Sequence, residues 1–120
     1  MTSRGIEAFL FYLRETEQRY SLAEADEQEA NAETQDILHN IELQEHNYHE
    51  FARLSKALKE CRQKRRLAKD TKAETAPVLD WIENNRAVIK ALERLLGDVR
   101  KAEKNTANRI YTPRSTKRGD

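Results

Sequence analysis

The chain has almost no punctuation. Its 120 residues include three glycines and two prolines, at Gly5, Pro77, Gly97, Pro113 and Gly119. So few turn formers leave no room for a strand-and-turn fold, which needs them every 8–12 residues or so. A single cysteine, Cys61, excludes an intrachain disulfide and a multi-cysteine zinc site, fits a reducing compartment, and reads as structural or idle. Long apolar runs are missing too. Phe9-Leu10-Phe11-Tyr12-Leu13 is stopped by Arg14, Glu15 and Glu17, short of signal-peptide or membrane length. The expectation is a cytoplasmic chain that neither is exported nor spans a membrane. No Gly-rich phosphate loop, Gly-x-Ser-x-Gly elbow or His-Glu-x-x-His motif occurs. The expected protein is therefore not an enzyme and uses no cofactor or small-molecule substrate.

What is present is a nearly even balance of hydrophobic (38%) and charged (36%) residues. That balance suits exposed helices with a narrow apolar stripe. Alternating steps of three and four connect Ile6, Phe9, Leu13, Thr16, Tyr20, Ala23, Glu27, Ala30, Thr34, Ile37, Ile41, Gln44, Tyr48, Phe51, Ser55, Leu58, Arg62 and Arg65. This is heptad spacing, strong at both ends and thin between Ala23 and Thr34. A second helix is expected to start at Thr75 as the capping residue, with Pro77 in its first turn. Its apolar face is Val78, Trp81, Ile82, Val88, Ile89, Leu92, Leu95, Leu96, Val99 and Ala102. Gly97 weakens that helix by ~1 kcal/mol relative to alanine, and marks either close packing or nothing.

The expected architecture is all-α: one helical-hairpin, coiled-coil-like domain over residues 1–104, with helices at about 5–70 and 76–104. A basic, mostly irregular tail follows over 105–120. At ~1.5 Å per residue the first helix would span roughly 90 Å and the second roughly 40 Å. The overhang requires a second copy of the chain, giving an antiparallel homodimer, or a break. Ser21-Leu22-Ala23-Glu24 matches a capping box and permits a break near Ser21 and a three-helix bundle.

Charge is strongly segregated. Residues 1–50 carry three basic and twelve acidic side chains, net minus nine; residues 51–120 carry nineteen basic and nine acidic, net plus ten. On one reading the opposite signs set antiparallel pairing within or between chains. On the other, Arg62, Lys64, Arg65, Arg66, Lys69 and Lys72, with Arg109, Arg114, Lys117 and Arg118 of the tail, meet an acidic protein or nucleic-acid phosphates. Tyr111 would then stack on a base or fill a pocket of the partner.

One cluster bears on chemistry. On the expected helix Glu42 and His46, and likewise Glu45 and His49, are neighbours at i and i+4. Such pairs hold metals in helical bundles when facing helices complete the set, but the second helix offers only Asp80 and Glu83 near its start. A metal-dependent helical hydrolase is thus a distant alternative.

The run Arg62-Gln63-Lys64-Arg65-Arg66-Leu67-Ala68-Lys69-Asp70, then Pro77, Trp81 and Asn108-Arg109-Ile110-Tyr111-Thr112-Pro113-Arg114, resembles small helical proteins encoded by bacteriophages and prophages of Gram-positive bacteria. The resemblance covers roughly residues 35–114. It implies a non-enzymatic early phage product that binds a host or phage macromolecule, and it carries over no site residue.

Overall fold

The computed structural model describes residues 1–110, which form three helices: α1 (Thr2–Leu43), α2 (Tyr48–Asn84) and α3 (Arg86–Ile110). The fold is all-α, with no strand among the described residues. Asn105 to Ile110, expected in an irregular tail, instead continue α3, and Tyr111, Arg114, Lys117 and Arg118 lie outside the described residues.

The first helix does not run to residue 70. It passes through Ser21 without a break and ends at Leu43. The stop lies at Asn47, whose side-chain Oδ1 accepts the Glu50 backbone N–H at 2.9 Å while its carbonyl accepts the Phe51 N–H at 3.0 Å. Asn47 is thus the N-cap of α2, and Asn47-Tyr48-His49-Glu50 has capping-box spacing. His46 secures the other side of the turn. Its Nε2 lies 2.8 Å from the Asn40 carbonyl in the last turn of α1, and its Nδ1 2.9 Å from Glu50 Oε2. Its ring also meets Phe51 edge-on at 5.4 Å. Because the chain reverses here, the overhang that called for a second copy does not exist.

The second helix does not begin at Thr75. Helix α2 runs through Pro77, and the buried Thr75 hydroxyl donates to the Thr71 carbonyl at 2.7 Å instead of capping an N-terminus. The interruption comes at Asn85, whose N–H bonds the Ile82 carbonyl at 3.1 Å and whose carbonyl takes the Ile89 N–H at 3.0 Å, opening α3.

Contacts divide the chain into two units, Met1–Arg14 with the chain from Ile82 onward, and Glu15–Trp81. In the first, α1 and α3 run antiparallel. The Ser3 N–H, an otherwise orphaned donor in the first turn of α1, bonds Glu103 at 3.0 Å, and Arg100 pairs with Glu7 at 2.7 Å. That bond to the Ser3 N–H holds the Glu103 carboxyl below its usual range. The interior is made of large side chains: Leu10, Leu13, Ile82 and Leu96 are buried. Each contributes about 1.5–3 kcal/mol on burial. Gly97 marks no close packing, since a Cβ there would meet nothing within 4 Å.

In the second unit α1 and α2 form a helical hairpin with a different interior. The buried residues are small: Thr16, Ala23, Ala30, Cys61, Ala68 and Thr75. The segment that looked thin in the sequence is a tight one, with Ala30 fully buried. Small residues let two helices approach closely over a long front. Hydrophobic gain per residue is modest along this seam.

Candidate interaction site

The buried and half-buried positions define the seam of each helix. On α1 these are Ser3, Ile6, Leu10, Leu13, Thr16, Tyr20, Ala23, Glu27, Ala30, Thr34, Ile37 and Ile41. From Leu13 to Ile41 this is the expected series. Leu10 replaces Phe9, which is 41% exposed. On α2 the seam is Leu54, Ala57, Cys61, Lys64, Ala68, Thr71, Thr75, Val78 and Ile82. Relative to the expected series (Ser55, Leu58, Arg62, Arg65) it is shifted by one residue, because the four-residue turn resets the phase. Beyond Thr75 the expected face is kept but narrower: Val78, Ile82, Ile89, Leu92, Leu96 and Val99 are buried or half-buried, whereas Trp81, Val88 and Leu95, expected beside them, are 40%, 47% and 45% exposed, and Ala102 is exposed.

The shift decides where the charges go. Lys64 occupies the α2 seam and its Nζ lies 3.6 Å from Glu29. Lys72, beside it, reaches Glu27 at 3.5 Å and sits over the Tyr20 ring at 5.7 Å. These two expected partner-binding residues turn inward to α1. Opposite charges thus pair the helices within the chain, the Lys64–Glu29 pair more exposed than the half-buried Lys72–Glu27 pair, and an exposed pair contributes at most about 1 kcal/mol. Arg62, Arg65, Arg66 and Lys69 are all exposed. So is Arg109, in the last turn of α3, where a cation complements the helix dipole.

Two grooves show which flanks of α1 and α2 share a side. Arg19, Leu22 and Asp26 of α1 line one with Lys64, Leu67 and Ala68 of α2. Glu33 and Asp36 line the other with Ala57, Glu60 and Cys61. On this side Asp26, Glu33, Asp36 and Glu60 are exposed beside one exposed cation of the same groove, Arg19, together with Leu22 and Leu67 at 65% and 69%. Leu58, Arg62, Arg65 and Lys69 follow the opposite flank of α2 at steps of three and four. Their side therefore collects these cations, next to Glu24, Gln28, Asn31 and Gln35 of α1. A further shallow groove on α2 is lined by Ser55, Leu58, Lys59, Arg62, Gln63 and Arg66. The hairpin thus has one side with a net excess of carboxylates and one with a net excess of cations.

Cys61 lies in the seam, 7% exposed, and its thiol donates to Glu33 Oε2 at 3.2 Å. Burial, then the Glu33 contact, pushes the thiol pKa up, so it is a poor nucleophile. The histidine cluster does not assemble as the continuous helix would have placed it. Helix α1 ends between Glu42 and His46, and both His46 nitrogens face acceptors already. Among the described residues no group of three His, Cys, Asp or Glu side chains is placed to hold a metal ion. No described helix is long and apolar enough to cross a membrane.

The residues that sequence reasoning missed are Asn47 and His46, which make the turn. Asn47-x-x-Glu50 was the available signal. No protein-family model, curated protein or solved structure matches the chain.

Proposed function

We propose that this is a non-catalytic binding protein that presents the basic side of the α1–α2 hairpin to an acidic macromolecule. One observation carries the reading: Lys64 and Lys72 are spent on α1 carboxylates, while Arg62, Arg65, Arg66 and Lys69 remain exposed on one side. Four like charges within two helical turns cost a few tenths of a kcal/mol per adjacent pair, a cost that binding to an acidic surface relieves. Leu58, half-buried among them, adds an apolar anchor. The resemblance to phage proteins favours a host or phage protein in the cytoplasm as the partner. The test is quantitative cross-linking in the native cell with the wild type and an Arg62→Gln/Arg65→Gln/Lys69→Gln variant. The reading expects acidic proteins captured by the wild type to be lost from the variant; an unchanged set of partners refutes it.

A second reading has nucleic acid on the same face, favoured by the Gln28, Asn31 and Gln35 amides beside the cations. Four phosphate contacts give a log–log salt slope of about −3 to −4. A gel-shift series that shows no binding at low salt removes this reading.

A further inference from the structure

We infer that the acidic side of a second copy of this chain is a partner of the basic side, so that copies associate face to opposite face. This names a partner for the face described above and rests on that reading. The argument is complementarity of sign and length. On α2 the flank from Leu58 to Lys69 rises eleven residue steps and on α1 Asp26 to Asp36 rises ten; the two stretches are therefore about 16 and 15 Å long. Both lie on the α1–α2 hairpin, on opposite sides of the seam. Each side also carries leucine: Leu58 on the basic side, and Leu22 and Leu67, 65% and 69% exposed, on the acidic side. Leu22 and Leu67 line one groove, an adjoining apolar pair of the kind an interface covers.

The geometry has a consequence. The two surfaces are different patches of the same molecule, so the contact is heterologous. A copy bound through its basic side still offers its acidic side, and association continues past the dimer instead of closing as a two-fold pair. The attraction acts between solvent-exposed charges, so it weakens as the screening length falls from about 10 Å at 0.1 M salt to about 3 Å at 1 M.

Complementation between two variants tests this. In one, Arg62→Gln, Arg65→Gln and Lys69→Gln remove the basic side. In the other, Asp26→Asn, Asp36→Asn and Glu60→Gln remove the acidic side. All six residues are exposed, and circular dichroism of each variant confirms that the helices are kept. Sedimentation equilibrium at low salt is expected to show the wild type growing beyond a dimer with concentration. Each variant alone should associate at least about tenfold more weakly. An equimolar mixture should give a 1:1 complex and nothing larger, because one intact acidic side meets one intact basic side. A wild type that stays monomeric overturns the inference, and so does a variant that still associates with itself as tightly as the wild type. If the wild type is monomeric while the basic-side variant loses its cellular acidic partners, self-association falls and the binding reading stands.

Discussion

Replacing Pro77 by alanine should stabilise the protein, and the size of the gain discriminates between two ways of reading the same residues. Helix α2 runs from Tyr48 to Asn84 with Pro77 inside it. Pro77 has no N–H to offer the carbonyl four residues earlier, that of Ala73, and its ring crowds that turn. An interior proline costs about 3 kcal/mol relative to alanine. Alanine returns part of this by loosening the unfolded chain, worth about 0.4–1 kcal/mol. The net expectation for Pro77→Ala is a gain of about 2 kcal/mol, and Pro77 is exposed, so nothing clashes on substitution. For a chain this size each kcal/mol moves Tm by roughly 4 °C, which predicts a rise of about 8 °C. Thermal and urea melts followed by circular dichroism measure it. Were Thr75 the cap of a new helix, the proline would sit in a first turn that tolerates it, and Pro77→Ala would change Tm little or lower it. That result would refute a continuous α2.

Other consequences are more compact. Gly97→Ala should add about 1 kcal/mol, since a Cβ at Gly97 meets nothing within 4 Å; a loss in the urea melt would show hidden close packing. His46 faces acceptors at both ring nitrogens, the Asn40 carbonyl and then the Glu50 carboxylate, which raise its pKa, while Arg53 opposes them. The raised folded value means that its stabilisation is fully present below the unfolded pKa and is lost as pH rises through the folded one. The stability gap between wild type and His46→Ala should therefore be widest at acid pH and shrink as pH rises above the ordinary histidine value of 6.5, and a pH-independent gap would contradict the clasp. Cys61, buried and bonded to Glu33, should react with a thiol reagent only as the hairpin opens, so urea should accelerate labelling; rapid labelling without denaturant would place it on the surface.

Much of this was legible in the sequence where the signal is local and periodic. Leu13, Thr16, Tyr20, Ala23, Glu27, Ala30, Thr34, Ile37 and Ile41 fall on the seam because a three-four alternation of apolar or small residues survives any tertiary arrangement of a helix. Phe9 and Leu10 are adjacent and both apolar, so spacing alone could not choose between them; packing against α3 buries Leu10. The turn was harder to read. Ser21-x-x-Glu24 and Asn47-x-x-Glu50 are equivalent as local signals, and residues 44–47 contain no glycine or proline. What selects Asn47 is pairing of the two charged halves plus the His46 contacts, which are not local to a heptad. Missing the turn put the α2 phase off by one residue. Arg62 and Arg65 were then placed in a seam, whereas they belong to an exposed flank. Charge segregation was visible; its division into two sides was not, because that depends on the phase.

Both the proposed function and the self-association rest on α1 and α2 lying side by side. Spin labels at Gln28 and Arg66, both exposed, with Cys61 replaced by serine and the labelled protein diluted into unlabelled, measure this directly by dipolar spectroscopy. Antiparallel helices with axes about 8–10 Å apart place the labels within about 25 Å of each other. One helix running uninterrupted from Gln28 to Arg66 would separate them by about 57 Å, at ~1.5 Å per residue. A short distance is the predicted result, and a distribution centred near the long one would contradict the hairpin and the two faces built on it.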